Sequence, residues 1–260
     1  PGRAGKRRVD PRDVAALRIA AYDREMGGYT DARISDGVTV FETIDDANTE
    51  ESTGGRAVLT LTPGDELTIT AMAVLDSTDN GFRNRATKDL TGSFSVKEHG
   101  KDDLNAYLLE VDYDFSFAQL VASYSYTDRT INGYLDQSGF VPIVQGAYAQ
   151  LNPLAVFVLN LPPLPQVTGV YGDQDMQNRS DVADIRVVSS GDGALQWTAG
   201  AFYRQTDTLY RLNGNSVPPV PPESWAAITG FLTGGQLSVS DALVSTSKST
   251  VDQWAIYGEA

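Results

Sequence analysis

Hydrophobic and polar residues alternate strictly along two neighbouring segments in the middle of the chain. Tyr107, Leu109 and Val111 share one face of the first segment, and Glu110 and Asp112 share the other. The second segment repeats the pattern, with its apolar face formed by Ala118, Leu120, Ala122, Tyr124 and Tyr126. A period of two residues predicts β-strands with one apolar and one wetter face. The turn at 114–117 between the segments makes them a β-hairpin.

The same alternation recurs along the chain and predicts about eight strands. They lie at 15–24, 56–62, 67–73, 104–113, 118–127, 181–188, 194–206 and 250–260. Short turns at 63–65, 114–117 and 189–193 alternate with long connections at 25–54, 77–103, 128–181 and 207–249. Pro63 and Gly64 supply the backbone angles of the first turn. This rhythm predicts an antiparallel up-and-down meander whose long loops all lie at one edge.

Two of the long connections contain apolar segments, at 144–161 and 226–232, for which short helices are predicted. Pro222 followed by Glu223 is typical of a helix start. The chain contains no uninterrupted apolar stretch of about 18 residues, so no membrane-spanning helix is predicted. Because the eight strands account for most of the predicted structure, the fold class is all-β.

The asymmetry between short turns and long loops favours a membrane-embedded barrel. Unstructured loops of more than about 12–15 residues are uncommon in compact soluble domains, whereas outer-membrane barrels have short turns at one rim and long loops at the other. Aromatic residues also cluster near strand ends, as girdles at the two membrane surfaces would require; they are Tyr113, Phe115, Phe117 and Trp197 near short turns and Tyr124, Tyr126 and Tyr203 towards long loops. These features predict a partial transmembrane β-barrel.

The face opposite the apolar one carries charges suited to a barrel lumen, namely Arg18, Arg24, Glu110, Asp112, Asp184, Arg186 and Arg204. A dry core would not accept such charges without partners. A secreted β-sandwich used for binding or adhesion, with one solvated face, explains the charges equally well. That alternative requires protein to cover the apolar face that includes Leu195, Trp197 and Tyr203.

Several segments resemble, in order, the barrel portion of TonB-dependent outer-membrane receptors. They are Ala16 to Tyr22 followed by Gly27-Gly28-Tyr29, Leu109 to Phe115 followed by Ala118-Gln119-Leu120 and Ser123 to Tyr126, Leu195 to Tyr203, and Gln253 to Ala260. The resemblance covers residues 15–260. Residues 1–14 form an unpatterned basic N-terminal end, which the resemblance does not cover.

The resemblance implies active uptake of a scarce solute, such as an iron–siderophore complex, across the outer membrane of a Gram-negative bacterium. The implied partners are outer-membrane lipid, a small-molecule ligand such as a metal chelate, and the TonB complex, which would act through a plug region. Barrels of this family have about 22 strands, and neither a TonB box nor a plug is seen here, so we expect a piece of the barrel. A passive porin is the further alternative.

Composition excludes some chemistry. The net charge of −14 argues against a nucleic-acid partner, and the absence of cysteine excludes disulfides and thiolate metal sites. The one histidine, His99, is placed in a polar loop. Two acidic groups have oxygens that could bind calcium, but neither has the EF-hand spacing, so a solvated surface position is the expected role; they are Asp45, Asp46, Glu50 and Glu51, and Asp173 and Asp175. No catalytic, cofactor-binding or metal-binding residue is predicted, no enzymatic activity is expected, and the sequence does not single out substrate-binding residues.

Overall fold

A computed structural model describes residues 14–36, 38–164, 166–190, 195–217, 219, 222–232 and 243–260. The basic segment 1–14 lies outside these residues except for Val14. The strands are β1 (Ala15–Met26), β2 (Asp31–Ser35), β3 (Val40–Ile44), β4 (Glu50–Gly64), β5 (Leu67–Asn80), β6 (Thr91–Phe94), β7 (His99–Asp114), β8 (Ala118–Asp136), β9 (Gly169–Ser189), β10 (Thr198–Val217) and β11 (Leu243–Glu259). The helices are α1 (Val141–Pro153) and α2 (Pro222–Leu232).

Eight long strands form one antiparallel sheet in the order β1-β4-β5-β7-β8-β9-β10-β11. Each long strand pairs with the next long strand along the chain, so the predicted up-and-down meander of eight strands is confirmed. The strands are longer than the sequence pattern indicated: β8 has 19 residues and β9 has 21. The long connections are correspondingly shorter than predicted, because polar residues at their ends continue the strands.

The β7–β8 turn lies where the sequence placed it. The first turn lies at Asp65 and Glu66, one or two residues later than predicted, because Pro63 and Gly64 continue β4. At the β7–β8 turn the Phe115 N–H donates to the Ala118 carbonyl at 2.8 Å, and Ser116 adopts a φ of 69°. The Asp114 side chain accepts from the Ser116 N–H at 2.9 Å, which holds the turn closed. At the β4–β5 turn a register shift precedes the pairing of Gly64 with Leu67. Residues 191–193 of the third predicted turn, and residue 194 after it, lie outside the described part of the chain.

Strand register aligns the apolar residues into continuous rows across the whole sheet. One row consists of Leu17, Leu59, Ala71, Leu109, Tyr124, Ala183, Tyr203 and Trp254. The adjacent row consists of Ala15, Leu61, Ile69, Val111, Ala122, Ile185, Ala201 and Ile256. We call this surface the apolar belt, and the other side of the sheet the polar face. On the polar face the row between these two carries Glu110 and Asp184.

A second, three-stranded sheet in the order β3-β2-β6 stands at the long-loop edge. It is assembled from two separate connections, 27–49 and 81–98, with β2 antiparallel to β3 and parallel to β6. Its core is formed by Ala32, Ile34, Ala47, Phe82 and Phe94. We call these two connections the loop platform. The expectation that they are polar loops was wrong, because they contain a small folded unit with its own core.

The hairpin turn between β2 and β3 is fixed by Asp36. Its carboxylate accepts from the backbone N–H of Thr39 at 2.6 Å and of Val38 at 2.9 Å. These two N–H groups, that of Thr39 first, hold the pKa of Asp36 below its usual range, because they stabilise the charged form.

The loop platform also depends on close backbone packing at Gly28. A Cβ atom added there would lie 1.8 Å from the Asp46 carbonyl oxygen, whereas one added at Gly27 would have nothing within 4 Å. Gly28→Ala should therefore destabilise the platform by about 1–3 kcal/mol, since the backbones must move apart. Limited proteolysis of the protein folded in detergent should show faster cleavage within 27–49. Gly27→Ala is the control, and equal cleavage of both variants would contradict the packing argument.

The predicted helices are confirmed as α1 and α2. A π-helical turn at Leu154–Val158 prolongs α1. Tyr148 and Ala155 of this helical segment form a core with Leu164, Val167 and Val170. The continuous run Val141–Val158 is long and apolar enough to cross a membrane by length and composition. The sequence pattern did not indicate this run, because polar residues and Pro153 interrupt its apolar stretch, whereas the helical backbone continues across them. The criterion alone is weak evidence, since the core helices of soluble proteins also meet it.

Candidate functional site: the apolar belt and the loop platform

The apolar belt is an exposed surface. Leu109, in its middle, is 47% exposed and Ile185 is 49% exposed. Across the described residues no second sheet covers it: Leu195 is 66% and Tyr203 43% exposed, and Val111, Leu120 and Trp197 are only partly buried. The β-sandwich alternative required these side chains to lie between two sheets, so it was wrong. A continuous apolar surface of this size marks an interaction with lipid or protein.

Aromatic rings bound the belt at both ends. Tyr107 and Tyr126 stack at 6.5 Å in the middle of their strands, on the long-loop side of the belt. Phe115 lies 4.5 Å from Tyr113 and 6.0 Å from Phe117 at the short-turn edge. The six steps from Tyr107 to Tyr113 span roughly 20 Å along β7. Aromatic rings at both ends of an apolar stretch are the arrangement found in membrane barrels, where girdles of such rings flank the apolar band.

Trp197 was predicted to lie within a strand, the second arm of the third hairpin, and this was wrong. It immediately precedes β10. Its backbone N–H donates to the Ser189 hydroxyl at 2.8 Å, and its backbone carbonyl accepts from the Ser189 N–H at 2.8 Å. It therefore closes the β9–β10 hairpin and is not part of the strand itself.

Ion pairs appear where the strands continue beyond the aromatic residues. Arg129 pairs with Asp102 at 2.5 Å on the polar face, and Arg179 pairs with Asp128 at 3.1 Å on the belt side. Register places all seven predicted lumen charges on the polar face. One of them, Arg24, pairs with Glu50 of the neighbouring strand. The charged side chains at the long-loop ends of the strands are thus suited to contact with water.

Two buried carboxylates fasten the loop platform to the end of β8. Asp136, whose side chain is fully buried, accepts from the Ser95 N–H at 2.5 Å and hydroxyl at 2.6 Å and from Arg85 at 2.8 Å. The side chain of Glu98 is 1% exposed and accepts from Arg83 Nε at 2.9 Å.

The two carboxylates are also joined to each other. The Asp136 N–H donates to Glu98 at 2.7 Å, and Arg83 donates both to Glu98 at 2.5 Å and to the Asp136 carbonyl at 2.7 Å. We call this network of Arg83, Arg85, Ser95, Glu98 and Asp136 the carboxylate clamp. Sequence reasoning missed it, because its partners lie 15 to 53 residues apart and follow no periodic pattern.

A cavity of about 310 Å³ lies between the loop platform and the ends of β1, β4, β5, β7 and β8. His99, predicted to lie in a loop, is the first residue of β7 and lines this cavity. Its ring meets the edge of Tyr134 at 4.7 Å, and Tyr134 in turn packs against Tyr171 at 5.7 Å. We call this cavity the rim pocket.

Two of the six acidic side chains considered for calcium pair with arginines instead. Glu50 pairs with Arg24, and Asp175 lies 3.8 Å from Arg211. Within the described residues, no group of three or more histidine, aspartate or glutamate side chains converges to hold a metal ion.

Comparison with known proteins supports the architecture. No family model and no curated protein matches the sequence. Among solved structures, the ferric yersiniabactin uptake receptor FyuA from Yersinia pestis matches 94% of this chain with a TM-score of 0.61 and 11% sequence identity. The shared fold is that of a barrel wall. The predicted partial β-barrel is therefore confirmed. The chain spans 31% of the FyuA chain, and identity this low establishes the fold alone.

Proposed function

We propose that this chain forms part of the wall and the outer loops of an outer-membrane receptor that takes up a scarce small solute. The observation that carries the proposal is the apolar belt, whose two central rows cross all eight strands without a charged side chain. Lipid acyl chains suit such a surface, because they carry no hydrogen-bonding groups that the protein would have to satisfy. The aromatic boundaries and the water-adapted strand ends support the same assignment.

This proposal also assigns one edge of the sheet to the periplasm and the other to the cell exterior. The tight turns at Gly64–Leu67 and Asp114–Ala118 face the periplasm, whereas the loop platform and the helices face the outside. The outer loops would capture the ligand. Rearrangement of a plug, coupled to the TonB complex, would admit it. FyuA is a ferric siderophore uptake receptor, and by that likeness a metal chelate is the first class of solute to test.

Single cysteines test this orientation, because the chain has none of its own. Val38, in the loop platform, is 94% exposed, and Ser116 is exposed at the β7–β8 turn. In cells carrying the protein in the outer membrane, a membrane-impermeant maleimide should label Val38→Cys in intact cells. It should label Ser116→Cys only after the outer membrane is permeabilised. Equal labelling of both in intact cells would refute a membrane-spanning wall.

Energy dependence separates a receptor from a passive porin. Uptake of a ferric chelate that the cells require should stop when the proton gradient is collapsed or TonB is deleted. Uptake that continues under both conditions would indicate the porin alternative.

A further inference from the structure

The boundary of the apolar belt on the long-loop side crosses the strands obliquely. The row next to the two central ones is apolar or aromatic on the first five long strands and polar on the last three; it consists of Ile19, Ala57, Ala73, Tyr107, Tyr126, Asp181, Gln205 and Asp252. One row further, only the first three strands remain apolar; this row consists of Ala21, Gly55, Leu75, Asn105, Asp128, Arg179, Asp207 and Thr250. The boundary therefore shifts by two rows between β1 and β11.

A flat lipid layer produces such a course on tilted strands. Rows of paired residues run perpendicular to the strands, whereas the strands of membrane barrels tilt by about 35–45°. A membrane surface must therefore cross the rows at an angle. The shift of two rows corresponds to four residues, or roughly 13 Å along a strand. Lipid accordingly reaches closer to the long-loop ends of β1, β4 and β5 than to those of β9, β10 and β11.

The loop platform begins close to this boundary. On β5 the first polar residue of the belt side is Ser77, four residues before Gly81, which is roughly 13 Å along the strand. With a tilt of about 45° the height is roughly 9 Å, little more than the roughly 5–8 Å of one headgroup layer. On β9, by contrast, Asp181 lies twelve residues after Gly169, roughly 40 Å along the strand.

The loop platform is fastened to the belt side of the wall. Asp136 continues the alternation of Tyr124 and Tyr126 along β8 without a register shift, so its side chain lies on the same side as the belt. The carboxylate clamp joins this side chain to Arg85 at 2.8 Å and to the Ser95 hydroxyl at 2.6 Å. The platform is therefore attached on the side of the wall that lipid would occupy below it.

The connection that carries α1 lies over the opposite side. Val170 has the parity of Asp184 on β9, which places it on the polar face. It is buried in the core that Tyr148 and Ala155 form. This helical connection therefore leans towards the lumen and stands far from the boundary of the belt.

The loop platform exposes apolar side chains on its edge strand β3. Phe41 is 65% and Val40 52% exposed. A register shift leaves Phe41 without a partner residue on β2, and such a bulge re-aims the side chain. The neighbouring Glu42 is compensated by Lys97 at 2.7 Å. Exposed apolar side chains at this height suit the boundary between lipid headgroups and acyl chains.

We propose that the loop platform rests on the outer leaflet and that Phe41 and Val40 insert between the lipid headgroups. The inference rests on the proposed function, because it requires the apolar belt to face lipid. It adds a second lipid contact above the belt, made by a loop unit. This contact holds the platform beside the lumen, so that the helical connection is the part of the long-loop edge that lies over it.

Single cysteines carrying an environment-sensitive NBD probe test the proposal on the full chain in dioleoylphosphatidylcholine vesicles. The probe at Phe41→Cys should emit at shorter wavelength and lose intensity when the vesicles contain a lipid with a nitroxide near its headgroup; Val40→Cys should repeat this result. Phe157→Cys is the matched control, an aromatic position on the helical connection that is 85% exposed, and its probe should report water. Leu75→Cys and Asp207→Cys, from one row, should report lipid and water respectively.

Two results would overturn the proposal. One is a probe at Phe41 that is as fully in water as the probe at Phe157. The other is the same environment for the probes at Leu75 and Asp207, which would mean that the boundary is not oblique. Leu109→Cys separates this proposal from the proposed function: a probe in water at Leu109 would refute the lipid-facing wall itself. A probe in lipid at Leu109 together with one in water at Phe41 would refute only the platform contact.

Discussion

Leu109→Arg should lower the free energy of unfolding in a lipid bilayer by about 2–4 kcal/mol, the cost of a cation on the lipid face near the bilayer centre. Leu109 lies in a central row of the apolar belt, between Ala71 and Tyr124 of the neighbouring strands. Its side chain is 47% exposed, so lipid would be its environment and the arginine would lose its hydration. Urea titration of the protein in vesicles, followed by tryptophan fluorescence, measures the change.

Leu108→Arg is the matched control, because it introduces the same side chain one residue away on the polar face. Leu108 lies between Met72 and Ser125, and an arginine there could reach water or nearby polar groups. We expect its cost to be clearly smaller than that of Leu109→Arg. If Leu108→Arg is the more damaging substitution, the polar face is the buried one and the belt does not face lipid.

The belt could be predicted because its signal is local. A two-residue period within about ten residues sets which side chains share a face, and it correctly placed Leu109 and Tyr124 together and Glu110 opposite them. Strand ends carry no such signal. Beyond the belt both faces are polar, so the first half of β9 resembles a loop in sequence. Its strand conformation comes from pairing with β8 and β10, which a single segment does not reveal.

The loop platform could not be predicted for a related reason. Strands β2 and β6 have only five and four residues, lie in different connections and pair in parallel. Their alternation is too short to distinguish from chance. The carboxylate clamp adds a second long-range requirement, since Glu98 and Asp136 acquire their partners only after the connection 81–98 has folded against β8. The rim pocket exists only because of that docking.

Asp136→Ala should release the loop platform from β8 at a cost of about 3 kcal/mol, the lower end of the range for breaking a buried ion pair. The lower end applies because Arg85 is itself 45% exposed on its side chain and can be rehydrated. The Ser95 N–H and hydroxyl would nevertheless lose their acceptor inside the clamp. Hydrogen exchange of the protein in detergent should show lost protection confined to 81–98, with the long strands unchanged.

An exposed ion pair on the same sheet supplies the comparison. Lys101 lies 3.5 Å from Asp103, and both side chains are well exposed, so Lys101→Ala should cost no more than about 1 kcal/mol. Equal loss of protection in the two variants would mean that the clamp does not hold the platform.

The clamp also predicts coupling: because Arg83 donates to both Glu98 and the Asp136 carbonyl, Glu98→Gln and Asp136→Ala act on one network. Their combined effect should be smaller than the sum of the single effects, since either substitution alone already loosens the platform on which the other acts.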